Sequence, residues 1–141
     1  MVQSVYLKPL TPEARTALGG APLKIRQFPF RVGRESRNNP RAAASSAPPG
    51  RRGATVPNND LYLVETGNVL NVSREHFLID IKNGDYVVID RGSSCGTLVE
   101  GEIVGDRRQG GWRRIRDQDV IIVGTSESKF VFKFVTFDTS D

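Results

Sequence analysis

Cysteine, histidine and long apolar stretches are what this chain has least of. Cys95 is the only cysteine, so an internal disulfide is impossible and a four-cysteine zinc site is excluded. A reducing, cytoplasmic setting is the expectation. His76 is the only histidine, and no nucleophile elbow accompanies it, so a hydrolytic triad has nothing to assemble from. Paired catalytic acids, a metal-ligand cluster and a Gly-rich phosphate loop opening a helix are all missing. These gaps argue against an enzyme and against a bound metal or cofactor. No apolar run approaches the roughly 18 residues needed to cross a bilayer as a helix. The start, Met1-Val2-Gln3-Ser4, lacks the basic-then-apolar layout of a secretion signal. No internal repeat is visible.

What is present suits one domain over residues 1–141. Hydrophobic residues make up 38% of the chain, enough for one packed core and not for two. They fall in short blocks rich in Val, Ile, Phe and Leu. The 20 Lys and Arg against 16 Asp and Glu give a net charge of +4, a modest bias. Basic proteins attract phosphate of every kind, so charge alone does not separate nucleic acid from phosphoprotein.

The pattern along the chain is strand, turn, strand. Residues 4–10 alternate loosely up to Pro9. Pro12 near the start and Gly19-Gly20 at the end of the next stretch suit either one short helical turn or an irregular hairpin loop. Residues 23–28 alternate with period two, and after Pro29 the strand resumes at Phe30-Arg31-Val32-Gly33. Residues 36–59 change character: Pro, Gly, Ala, Ser and Arg dominate, with no acidic residue. Such a stretch cannot form a core and reads as a long, mobile basic loop, either an inert insertion or an arm for an acidic or phosphorylated partner.

Beyond it, residues 61–64, 77–81 and 86–89 read as strands. Asn83-Gly84 between the last two is the strongest short hairpin signal. Residues 97–99, 103–104, 112–115, 120–124 and 129–137 complete the set, the last placing Phe130, Phe132 and Phe134 on one face. Ten or eleven short strands with almost no helix describe an all-β sandwich.

One stretch organises the rest. Val72-Ser73-Arg74-Glu75-His76 sits between a turn-rich run, Glu65-Thr66-Gly67-Asn68, and the apolar strand that starts at Phe77. A hydroxyl beside a guanidinium is the donor set an anion site needs. Gly33-Arg34 and Ser93-Ser94-Cys95-Gly96-Thr97 make sense beside it.

Taken in order, Gly33-Arg34, Ser73-Arg74-Glu75-His76, Asp90 with Ser93-Ser94-Cys95-Gly96-Thr97, Val99-Glu100-Gly101 and Asp119-Val120-Ile121-Ile122-Val123-Gly124 resemble the forkhead-associated (FHA) domain. The resemblance covers about residues 23–137. It implies a β-sandwich of about eleven short strands with ligand loops at one end. It further implies a non-catalytic module that binds phosphothreonine peptides, an adaptor whose partner is a Ser/Thr kinase or a kinase substrate.

Under that resemblance Arg34, Ser73, Arg74, Ser94 and Cys95 form the phosphopeptide site, while Gly33, His76, Gly96 and Thr97 support the binding loops. Two positions depart from the family, which normally has Asn where this chain has Cys95 and Asn where it has Glu100. A thiol is a poorer hydrogen-bond partner than a carboxamide. Glu100, in a turn, reads as a solvated surface carboxylate, and Asp90, Asp117 and Asp119 read as turn residues.

Two other readings compete. A structural module would bind a partner, or a second copy, through a lateral face, with the phosphate site weakened at Cys95. A nucleic-acid binder would use the arginines of residues 36–59 with Arg107, Arg108, Arg113, Arg114 and Arg116 around Trp112. Interleaved Asp106, Asp117 and Asp119 favour a solvated strand face over that reading.

Overall fold

The computed structural model describes residues 2–35, 59–66, 70–105 and 109–139. Of the expected loop over 36–59 all but Asn59 lies outside the described residues, as do the Gly67-Asn68 turn and Arg107-Arg108. The chain forms β1 (Val2–Pro9), α1 (Pro12–Ala17), β2 (Leu23–Ile25), β3 (Phe30–Arg34), β4 (Leu61–Leu63) and β5 (Phe77–Lys82). It continues with β6 (Asp85–Asp90), β7 (Thr97–Val99), β8 (Glu102–Val104), β9 (Gly111–Arg114), β10 (Val120–Val123) and β11 (Val131–Thr139). Among the described residues, no helix is long and apolar enough to cross a membrane.

These strands make two sheets. One has six strands in the order β2-β1-β11-β10-β7-β8, the other five in the order β4-β3-β5-β6-β9. Period-two alternation decides which side chains meet between them. Leu7, Phe132, Phe134, Ile121 and Val99 from the first sheet pack against Val32, Phe77, Ile79 and Val88 from the second, all essentially without solvent exposure. Each such large side chain contributes roughly 1.5–3 kcal/mol by leaving water. The phenylalanine face expected of the last strand is this inner face.

Turn chemistry behaves as the residues require. Asn83 (φ 52°) and Gly84 (φ 83°) join β5 to β6 with both central residues left-handed, the geometry of a two-residue hairpin loop. Of the two readings for residues 11–20, the helical turn is correct. Thr11 caps α1 by accepting from the Ala14 N–H at 3.2 Å, and Pro12 occupies the first turn, where its missing N–H costs nothing.

Among the described residues all strand pairs are antiparallel except one. β3 runs parallel to β4, with Val32 beside Leu61 and Arg34 beside Leu63. A parallel pair cannot be closed by a tight hairpin; the chain must travel back the length of the strand. The long connection over residues 35–60 meets that requirement.

Candidate functional site

Strand ends from both sheets converge at one end of the sandwich. Val32 pairs with Phe77, and Phe77 with Asp90, which places the end of β3, the start of β5 and the end of β6 side by side. Thr97 pairs with Val123, which adds the start of β7 and the end of β10. The segments leaving these ends, residues 70–76 and 91–96, form a rim.

The first segment is held from outside itself. The Glu65 carboxylate accepts from the backbone N–H groups of Asn71 (2.8 Å) and Val72 (2.9 Å). Arg34 reaches it twice: its Nε donates to the Val72 carbonyl and its backbone N–H to the Ser73 carbonyl, each at 2.9 Å. Asn59 Nδ2 donates to the Arg74 carbonyl at 2.7 Å, and Arg91 holds Asn59 in place through Oδ1 at 2.6 Å. Asn59, the last residue of the segment expected to be a coreless loop, is itself buried, so it does not belong to such a loop.

Gly33 fits here for a reason other than backbone freedom. It lies inside β3 and is not left-handed. A Cβ at this position would stand 1.9 Å from the Arg74 carbonyl oxygen and 2.7 Å from Asn59 Nδ2. Only a residue without a side chain lets residues 73–76 lie this close to the strand.

The second segment is held from within. Asp90, buried, accepts four hydrogen bonds: from the N–H groups of Gly92 and Ser93 through Oδ1, each 2.9 Å, and from the hydroxyls of Ser93 (2.6 Å) and Thr97 (2.8 Å) through Oδ2. Ser93 Oγ in turn accepts from the Gly96 N–H at 3.0 Å. The carboxylate is the hub of the loop, a turn role of unusual completeness. Ser93 and Thr97, both fully buried, serve this hub and face away from solvent.

His76 ties the two segments together. The fully buried ring accepts from the Ser73 N–H at Nδ1 (2.9 Å) and lies 2.7 Å from the Gly96 carbonyl at Nε2. The first bond leaves Nδ1 without a proton, so Nε2 carries it and donates to Gly96. Burial lowers the imidazole pKa, the Gly96 carbonyl and the charges of Asp90 and Glu65 opposing that only in part. A neutral, fully bonded ring is a brace.

What remains free is the rim itself. Ser73 Oγ accepts from the Ser94 N–H at 3.1 Å and lies 3.4 Å from Ser94 Oγ, so two hydroxyls stand together. Ser94 and Arg74 are exposed, Ser73 and Arg34 partly so. Among the described residues the terminal amino groups of Arg34 have no hydrogen-bond acceptor, because only Nε is engaged. The guanidinium is anchored at one nitrogen and open at the other two. Cys95 is half-buried, its thiol turned toward the Leu70 carbonyl with Sγ 3.9 Å from that oxygen.

Of the residues named from sequence, the structure brings Arg34, Ser73, Arg74, Ser94 and Cys95 to the rim, and Gly33, His76, Gly96 and Thr97 beneath it. Glu100 is no idle surface group: it is left-handed (φ 50°) beside Gly101 (φ 80°), and its carboxylate accepts from the Val120 N–H at 2.7 Å. Both central residues of this β7–β8 turn need positive φ, which is why Asn suits the position better than Glu. Asn59, Glu65, Asn71 and Arg91 were not legible as part of the frame. The only signal was polarity next to a strand or turn, and that is common.

Comparison with known proteins agrees with this geometry. The FHA domain family matches residues 49–124, more than half of the chain, and stops short of Gly33 and Arg34. No curated protein matches by sequence. Among solved structures, the FHA domain of the CT664 protein from Chlamydia trachomatis is similar, with a TM-score of 0.57 at 19% identity, covering 97% of this chain and 99% of that one. The kinase-interacting FHA domain of the kinase associated protein phosphatase of Arabidopsis is similar at a TM-score of 0.61 and 19% identity over 100% of both chains. EmbR of Mycobacterium tuberculosis, solved in complex with a low affinity phosphopeptide, is similar at 0.57 and 20% identity, over 98% of this chain but only 26% of EmbR.

Proposed function

The chain belongs to the FHA domain family, and from that premise and the chemistry of the rim we propose that it is a non-catalytic phosphothreonine-binding module. One observation carries the reading: Arg34 is fixed through Nε to Val72 with its terminal amino groups open, on the same rim as the paired hydroxyls of Ser73 and Ser94. A phosphothreonine brings nearly two negative charges at neutral pH and three acceptor oxygens. Arg34 answers with charge-assisted N–H donors, shorter and about twice as strong as neutral ones. Ser73 Oγ accepts from the Ser94 N–H, and the hydroxyls of Ser73 and Ser94, 3.4 Å apart, are rotatable neutral donors that can turn from each other to the phosphate. Arg74, exposed beside them, adds positive charge toward the phosphate or the peptide backbone.

Preorganisation supports the same reading. The donors need no rearrangement, because Glu65, Asn59, His76 and Asp90 hold both segments before any ligand arrives; little conformational entropy is lost on binding. The phosphate source is a Ser/Thr kinase acting on itself or on a substrate, which makes the chain an adaptor between kinase and target. EmbR, with its phosphopeptide, and the kinase-interacting domain from Arabidopsis support that role by analogy of fold.

The test is a phosphothreonine peptide library screened by calorimetry or fluorescence polarisation against each peptide's unphosphorylated copy. Micromolar binding restricted to phosphorylated members, and lost when aspartate or glutamate replaces phosphothreonine, is expected: a carboxylate has fewer acceptors and about half the charge. Equal binding of the phosphorylated and unphosphorylated members would overturn the assignment.

A further inference from the structure

The outer face of the six-stranded sheet carries a continuous apolar row. The register aligns Val131 with Ile122, Ile122 with Leu98 and Leu98 with Ile103. Leu10, just past β1, joins through its N–H bond to the Val131 carbonyl at 2.9 Å. The row therefore crosses the sheet as Leu10, Val131, Ile122, Leu98, Ile103, with Ile122 at its centre. Its ends are well exposed, Leu10 at 43% and Ile103 at 66%. Val131, Ile122 and Leu98 between them are partly exposed, and contiguous exposed apolar patches are where interaction surfaces are found.

The neighbouring row on the same face is charged, and unevenly. Lys8 pairs directly with Lys133, and Lys133 with Val120. Glu100 lies next to Val120, exchanging two hydrogen bonds with it. The row reads plus, plus, neutral, minus. Like charges directly opposed across a sheet are unfavourable, and among the described residues neither lysine has a carboxylate partner. On the other sheet, by contrast, Arg31 pairs with Asp60 and Arg114 with Asp85.

We propose that this face is a homodimer interface, with two copies related by a twofold axis in the plane between them and running along β10. Such an axis reverses each row across the strands. Ile122 then meets its own copy, Val131 meets Leu98 and Leu10 meets Ile103, so apolar faces apolar throughout. In the charged row Lys133 of each copy meets Glu100 of the other, giving two equivalent ion pairs. One oxygen of each Glu100 accepts from the Val120 N–H at 2.7 Å, and in the dimer the facing lysine takes the other. A surface whose charge order becomes its own complement under a twofold is what an isologous dimer requires. The proposal is independent of the phosphate rim, which lies at the sandwich end.

Sedimentation equilibrium of the full chain at physiological salt, from micromolar to millimolar, tests it. A reversible monomer–dimer equilibrium is expected, weakened at least about tenfold by Ile122→Lys, which brings two ammonium groups together at the axis. Circular dichroism and a thermal melt establish that the variant is folded. A second arm does not depend on Ile122: Lys133→Glu and Glu100→Lys should each weaken self-association. An equimolar mixture of the two should recover a dimer, since both ion pairs of the mixed species are then of opposite sign. A wild-type chain that stays monomeric throughout assigns the face to a different partner and overturns the proposal. So does a dimer indifferent to all three variants, or single charge reversals that do not rescue each other.

Discussion

The two segments that meet at the rim are built in opposite ways. Residues 91–96 close around Asp90, a carboxylate one residue away, and the loop carries its own serine and threonine partners. Residues 71–76 own almost none of the groups that hold them. Arg34, Asn59 and Glu65 come from elsewhere in the chain, and Gly33 only leaves room. A self-contained loop of this kind keeps its shape once its hub is buried. A borrowed one keeps its shape only while the surrounding strands are in register. The buried His76 ring bonds to the backbone of both segments. Together with the Ser73–Ser94 bond across the rim and the Arg91–Glu75 ion pair, it fixes the relative position of the two hydroxyl donors, Ser73 and Ser94.

The largest expected effect breaks the self-contained loop. Asp90→Ala removes the acceptor for two N–H groups and two buried hydroxyls at once. Each buried donor left unpaired costs about 1–3 kcal/mol, so with partial relaxation a loss on the order of 3–5 kcal/mol is expected. It would appear as a fall in urea midpoint with an unchanged slope. A change under 1 kcal/mol would mean that the hub is dispensable.

Arg34→Ala acts on the borrowed segment and on the ligand together. Removing the charged partner of a phosphate should cost about 2–5 kcal/mol of binding, at least thirtyfold in affinity. The loss of stability should be smaller, since one bond to Val72 goes and the backbone bond to Ser73 stays. Calorimetry in which the variant binds a phosphothreonine peptide as well as wild type does would remove Arg34 from the site.

Acid sharpens the comparison through His76, where both segments respond. Its folded pKa is lowered by burial, below the roughly 6.5 of an unfolded histidine. In the interval between the two values the unfolded chain binds more protons, so stability falls as pH drops through that interval and is complete above it. A melting series from pH 7.5 to 5 should show this fall, each unit of pKa lowering being worth about 1.4 kcal/mol. His76→Gln should flatten the histidine component while lowering stability at neutral pH. A wild-type profile that rises as pH falls toward 5.5 would contradict the neutral, bonded ring.

The smallest effect is at Cys95. Cys95→Asn places a carboxamide, with one acceptor and two donors, where the thiol offers neither well. One added hydrogen bond to a bound peptide contributes about 0.5–1.5 kcal/mol, so affinity should rise about two- to tenfold. Titration of one phosphopeptide against both proteins under reducing conditions decides it. Unchanged affinity would leave Cys95 as a small residue that packs near Leu70.

The legible parts of this molecule share a short range. Alternation of Phe130, Phe132 and Phe134 and the Asn83-Gly84 hairpin were readable because each depends on residues within a few positions. The anchors of the borrowed segment were not. Asn59 lies 15 residues from the Arg74 carbonyl it holds, and Arg34 lies 38 residues from Val72. Any Asn or Glu beside a strand could have filled such a role. The idle reading of Glu100 failed for the same reason, since its partner, Val120, is 20 residues on.

By itself the sequence determined the sandwich, its turns and the end at which the hydroxyls and Arg34 would gather, because periodicity, turn residues and motif order are local or linear properties. Only the tertiary structure decided which polar groups satisfy one another, why Gly33 has no side chain, which nitrogen of His76 carries the proton and which apolar residues line up across the six-stranded sheet. Those outcomes depend on register and on the direction of side chains across a sheet. Register is settled when distant strands pack against a common core.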